Sequence, residues 1–169
     1  LGSKPRARGD RRTFSPEGQT PVIPGTGQRF GCNMISAITN RGKLYFMIFN
    51  ERFNAGMFMN FIKRLRRQVK RKIFLIVDRH PAHRSVKLMK WIEANKKHIQ
   101  LFYLPGYAPE LNPDEELNQD VKSNAVGRRR AHNSSELMSN VRGYLRGRQK
   151  NPEIVKNYFQ EEHVKYASV

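Results

Sequence analysis

The chain predicts an α/β domain, a mixed sheet flanked by helices, and three stretches carry that expectation. Residues 73–77 (Ile-Phe-Leu-Ile-Val) form a continuous apolar run that ends abruptly on Asp78. Such a run fits a strand buried on both faces of a largely parallel sheet. A helical pattern and a second apolar run, residues 99–104, follow it. Strand, helix and strand in that order imply parallel pairing through a crossover. Earlier, residues 33–39 and 43–49 are both strand-like and flank Thr39-Asn40-Arg41-Gly42, a tight turn with glycine where a positive φ is cheapest. That pattern reads as a β-hairpin.

In chain order, residues 1–21 read as a basic extended arm. Lys4, Arg6, Arg8, Arg11 and Arg12 stand among Gly, Pro and Ser with almost nothing to bury, a composition that suits a disordered tail as well as a nucleic-acid arm. Pro21-Val22-Ile23-Pro24-Gly25 adds a short extended piece closed by a turn. The folded domain is expected over residues 22–169. After the hairpin, Phe58, Phe61, Ile62, Leu65 and Val69 recur on one face of a helix, and Lys63, Arg64, Arg66, Arg67 and Lys70 line the other. That basic face is either simply solvated or a contact for phosphates.

Between the two apolar runs, Leu88, Trp91 and Ile92 mark the crossover helix, with Trp91 turned inward. The rigid loop Pro105-Gly106-Tyr107-Ala108-Pro109 leaves the second strand and leads into another helix. There Asn112 reads as N-cap, Pro113 as the first helical residue and Glu115 as the third. Leu117 and Val121 continue it to about residue 124, before a basic loop at Gly127, Arg128, Arg129 and Arg130. Asn133 with Glu136 starts a further helix, with Leu137, Val141, Tyr144 and Leu145 inward and Arg142, Arg146 and Arg148 outward. A last short helix begins near Pro152, burying Val155, Tyr158 and Phe159.

At 169 residues the chain suits one domain with a core of its own. Its single cysteine, Cys32, excludes a disulfide framework or a cysteine-rich zinc module and is expected as a small buried residue in a reducing compartment. No apolar run approaches the roughly 20 residues that span a bilayer, and no signal-peptide core opens the chain. Thirty-two Lys and Arg against 14 Asp and Glu give a net charge of +18. A balance this basic points to a polyanion, most often nucleic acid. The cations are spread along the chain and not packed into one amphipathic helix, which argues against a membrane partner.

Asp78 stands at the carboxyl end of a strand, where α/β sheets collect ligands. The alternative is an ordinary turn or capping aspartate. Glu115 opens a later helix, 37 positions on. That spacing can bring both acids to one sheet edge, where hard divalent cations take carboxylate oxygens and two such ions run phosphoryl transfer. Equally, an acid at the third helical position closes a capping box and favours the helix dipole. His83 is a candidate for orienting phosphate or water, against the commoner role of a surface or capping histidine at a helix start.

Two strings go further. Phe-Leu-Ile-Val-Asp-Arg-His-Pro-Ala-His at 74–83 and Leu-Pro-Gly-Tyr-Ala-Pro-Glu-Leu-Asn-Pro-Asp-Glu at 104–115 resemble the catalytic domain of bacterial insertion-sequence transposases of the mariner superfamily, in the IS-six-thirty branch. Gly-Gln-Thr-Pro at 18–21 and Asn-Met-Ile-Ser-Ala-Ile at 33–38 are similar to earlier segments of that family, so the resemblance spans roughly residues 12–122. It implies a ribonuclease-H-like fold and metal-dependent cleavage and strand transfer of DNA at transposon ends. It also implies Mg²⁺ or Mn²⁺ held by Asp78 and Glu115 as the second and third acids of a DDE triad, with His83 and Asn112 as accessory residues. DNA is the implied partner, with Arg64, Arg67, Arg128, Arg129 and Arg130 as candidate contacts. A homodimer is the candidate assembly, and the implied setting is the bacterial cytoplasm and nucleoid. One departure matters: the family's first aspartate ends an opening strand, and alignment places both just upstream of Leu1. Asp10 has no strand behind it. The rivals are a nucleic-acid-binding remnant without chemistry and a ribonuclease-H-like nuclease without strand transfer.

Overall fold

Residues 39–43 turn as their chemistry demands. Gly42 sits at φ 80°; the Thr39 N–H donates to the Lys43 carbonyl, the Gly42 N–H to the Thr39 carbonyl, and the Lys43 N–H to Thr39 Oγ1. A Cβ at Gly42 would also lie 2.5 Å from the carbonyl oxygen of Pro152, so both conformation and space call for glycine. The turn joins β1 (Asn33–Ile38) to β2 (Leu44–Phe49) in antiparallel register, Asn33 opposite Phe49 and Ile38 opposite Leu44. The computed structural model describes residues 31–106, 111–127, 131–160 and 162–167. The expected arm at 1–21 and the extended piece at 21–25 lie outside them.

Helix α1 (Ala55–Gln68) starts at Asn54, whose side chain accepts the Met57 N–H, and ends with Arg66 and Arg67 where cations complement the helix dipole. It buries Phe58, Met59, Phe61, Ile62 and Leu65, each contributing roughly 1.5–3 kcal/mol of transfer free energy. Strand β3 (Ile73–Val77) and strand β4 (Ile99–Tyr103) pair in parallel, Ile73 opposite Ile99 and Val77 opposite Tyr103, through helix α2 (Val86–Ala94). Helix α3 (Asp114–Val121) continues into a π turn over Lys122–Val126. Helix α4 (Ser134–Gln149) is capped by Asn133, which accepts the Glu136 N–H at 2.8 Å, and α5 (Pro152–Asn157) follows. A short 3₁₀ helix, Glu162–Ala167, closes the described chain.

Two apolar clusters set the layers. One joins α1, α2 and the inner face of β3–β4; the other joins α3, α4, α5 and the β1–β2 hairpin. The hairpin is covered on both faces, with Ile35 and Met47 toward the first cluster and Met34 and Ile48 toward the second. Parallel and antiparallel pairing are both present, but among the described residues they form two separate two-stranded ladders, so β1 and β3 each have an edge with no described partner strand.

The second pair departs from expectation. Strand β3 is not buried on both faces: Ile73 and Val77 face the core, whereas Phe74 is 62% and Ile76 51% exposed. Phe102 of β4 is likewise 44% exposed. The apolar run was continuous, yet among the described residues helices cover only one side of this pair, so burial alternates with the pleat. Two smaller corrections follow from packing. Cys32 is half-buried, and Arg148 does not face solvent but turns into an ion pair with Asp120 at 2.8 Å. No helix among the described residues is long and apolar enough to cross a membrane.

Candidate active site

The cleft of about 350 Å³ between the two strand pairs is walled by consecutive residues of both, 34–38 of β1 and 74–78 of β3. Only strand edges expose residues of both faces in succession, so the edges of β1 and β3 that have no partner strand among the described residues form its walls. Asp78 stands at one end, carried there by the carboxyl end of β3. Asn112, Pro113, Asp114, Glu115 and Asn118, at the start of α3, close the same cleft.

Asp78 is 60% exposed through its side chain, yet one oxygen is held. Its Oδ1 accepts the His80 N–H at 3.0 Å and lies 2.8 Å from His83 Nδ1. Among the described residues Oδ2 has no partner. His80 Nδ1 accepts the Ala82 N–H and starts the 3₁₀ turn Pro81–Arg84. The expectation of a surface or capping histidine does not hold for His83, which is only 9% exposed. The His83 ring packs 4.2 Å from Phe58 and 5.6 Å from Phe53. Burial lowers its pKa below the ordinary histidine value, outweighing the opposing pull of Asp78.

Asn112 caps as its sequence context predicts: its Oδ1 accepts the Asp114 N–H at 3.2 Å and its carbonyl accepts the Glu115 N–H at 3.0 Å. Regular helix begins two residues later, at Asp114. Glu115 does not close a capping box. It is exposed, and its carboxylate has no hydrogen-bond partner among the described residues.

Sequence reasoning missed Asp114, which read as one more acid favouring a helix N-terminus. It turns inward, where Ser36 Oγ–H of β1 donates to its Oδ2 at 2.8 Å, and its buried Oδ1 has no partner among the described residues. Burial first, and the neighbouring Glu115 charge next, push its pKa up to about 6 against the single Ser36 bond. No local signal reveals this, because Ser36 is 78 positions away.

The structure therefore brings Asp78, His83, Asn112 and Glu115 to one cleft. Arg64 and Arg67 are exposed on α1 and do not line it. Arg128, Arg129 and Arg130 lie outside the described residues. The donor set suits a hard cation: among the described residues Asp78 Oδ2 and the Glu115 carboxylate have no partner, and Mg²⁺ takes one or two carboxylate oxygens with water completing its shell. Among the described residues no three His, Cys, Asp or Glu side chains gather as a ready metal cluster.

Residues 3–138 match the family described as DDE superfamily endonuclease. The fold is similar to that of the Mos1 strand transfer complex (TM-score 0.61, 13% identity), over 94% of this chain and 50% of that one. It is also similar to the catalytic domain of Mos1 mariner transposase (TM-score 0.53, 11% identity; 82% and 81% covered). A third likeness is to the Mos1 transposase catalytic domain with raltegravir and Mg (TM-score 0.50, 12% identity; 82% and 83% covered). The chain spans half the length of the protein in the strand transfer complex. No curated protein matches the chain.

Proposed function

The chain belongs to the DDE superfamily endonuclease family, and on that premise we propose that it is the ribonuclease-H-like catalytic domain of a transposase that cleaves and joins DNA at transposon ends. One observation carries the reading: Asp78 and Glu115, remote in sequence and on different elements, line a single cleft, and Asp78 Oδ2 and the Glu115 carboxylate have no partner among the described residues.

Asp78 and Glu115 are the residues that would hold Mg²⁺ or Mn²⁺. When bound, such ions activate the attacking hydroxyl and stabilise the leaving oxygen of an in-line displacement. The chain itself supplies the rest. The carboxyl end of β3 and the start of α3 fix the two acids, and Arg64, Arg67, Arg128, Arg129 and Arg130 neutralise backbone phosphates. In this reading a further aspartate on another strand completes the triad. Among the described residues β1 and β3 each have an edge without a partner strand, and a strand between them would satisfy both. The Pro-x-Leu-Asn-Pro-x-Glu string at 109–115 supports the bacterial IS-six-thirty branch, with nucleoid DNA as partner and a homodimer as the working assembly.

The test is a Mn²⁺- or Mg²⁺-dependent nicking assay on the full-length parent protein. Asp78→Ala and Glu115→Ala are each expected to slow nicking about a thousandfold, the equivalent of about 4 kcal/mol of lost transition-state stabilisation. Normal nicking by both variants refutes the assignment. Pre-cut ends supplied to the unsubstituted protein should yield joined product; hydrolysis without joining makes it a nuclease instead. Binding of this chain to DNA should weaken steeply with salt and vary little with sequence, because backbone contacts release counterions but read no bases.

A further inference from the structure

We propose that His83 is the positioning residue of the site: it ties one oxygen of Asp78 and so presents the other to the cleft as a single-oxygen ligand. The proposal rests on the reading of Asp78 as a metal ligand and adds the group that aims it.

Asp78 needs such a group. Its side chain is mostly exposed at the end of a strand, where a short carboxylate turns freely unless something holds it. Two donors converge on Oδ1, the His80 N–H at 3.0 Å and His83 Nδ1 at 2.8 Å. His83 Nδ1 also lies 3.2 Å from the Asp78 carbonyl oxygen. Both of its neighbours are acceptors, so Nδ1 carries the proton, and Nε2 is the bare nitrogen.

The histidine is itself held on every side. Its ring lies against Phe58 and Phe53, its N–H donates to the His80 carbonyl at 2.9 Å, and its own carbonyl accepts the Tyr103 hydroxyl at 2.8 Å. Tyr103 belongs to β4 and pairs with Val77, the residue before Asp78. Rigidity thus passes from the α1 aromatics and β4 to the imidazole, and from the imidazole to Oδ1. Oδ2 is the oxygen left for a cation. A group one step removed from the metal commonly governs ligand orientation in this way, and its loss weakens metal affinity about 10- to 100-fold.

The experiment uses this chain with Mn²⁺ as probe. Long-range ¹H–¹⁵N spectra of His83 should show the Nδ1-protonated tautomer. Mn²⁺ binding, followed by electron paramagnetic resonance, should weaken about tenfold or more in His83→Leu. It should return toward the unsubstituted level in His83→Asn, whose amide N–H falls near the position of Nδ1. The two substitutions separate positioning from packing, because leucine fits the phenylalanine wall better and asparagine restores the donor. An Nε2-protonated ring, unchanged Mn²⁺ binding in His83→Leu, or binding that tracks thermal stability, with asparagine worst, overturns the proposal. Failure of the underlying reading looks different: Asp78→Asn would then leave Mn²⁺ binding unchanged.

Discussion

Asp114 and Asp120 stand on the same helix, less than two turns apart, in opposite electrostatic conditions. Asp120 is saturated. Its Oδ1 accepts from Asn124 Nδ2 and the Tyr144 hydroxyl, and its Oδ2 from Arg148 Nε and the Tyr158 hydroxyl. Burial alone would raise its pKa, but these donors, Arg148 foremost, hold it below the ordinary carboxylate value. Asp114, at the cleft, has one donor and one oxygen without a partner among the described residues, and its pKa is pushed up to about 6. The far end of α3 is a joint that fastens α4 and α5. The near end tolerates an unsatisfied acid beside Glu115, and such departures from full hydrogen bonding concentrate where a molecule acts.

Breaking the joint should have the largest effect on folding. Asp120→Ala leaves Arg148, Tyr144 and Tyr158 without their common acceptor. It is expected to lower the unfolding free energy by about 2 to 3 kcal/mol in urea titrations. A loss no greater than that of an ordinary surface substitution would dissolve the contrast.

The contrast sharpens with pH. The folded-state pKa of Asp114 lies above its unfolded value of 3.8, so its contribution is fully present below about pH 4 and is lost as pH rises through about 6. The change is of order 3 kcal/mol. Asp120, lowered by its donors, has the opposite sign: it stabilises above its unfolded pKa and stops doing so as pH falls through its folded one. Unfolding measured between pH 4 and 7 should therefore show a decline from Asp114 that Asp114→Asn removes. Retention of that decline in the variant would place the titrating group elsewhere.

The smallest expected effect on folding belongs to the acids proposed for catalysis. Asp78→Asn and Glu115→Gln alter exposed side chains and should shift unfolding free energy by less than about 0.5 kcal/mol, while nicking by the parent protein collapses. Loss of stability on the scale of Asp120→Ala would recast them as structural.

Much of this was legible along the chain. The turn glycine at 42, the caps at Asn112 and Asn133 and the inward stripe of α1 are local features, fixed by neighbours within a few residues, and each appears where its pattern puts it. The DDE superfamily endonuclease match agrees with the strings at 74–83 and 104–115, which hold both candidate acids. Burial was harder to read. Phe74, Ile76 and Phe102 are as apolar as their neighbours, but burial depends on what lies across the sheet, which no strand encodes in its own residues.

By itself, then, the sequence determined the order and type of the elements, their caps, the positive charge and the acids at the ends of β3 and at the start of α3, because propensity, periodicity and capping act over a handful of residues. Only the tertiary structure decided which carboxylates are satisfied. Ser36 reaches Asp114 across 78 positions and Tyr158 reaches Asp120 across 38. The buried His83 owes its place to Phe58 on α1 and Tyr103 on β4. A pKa, a held rotamer or an orphaned oxygen is set by atoms a few ångströms away in space, and those atoms are distant in the chain.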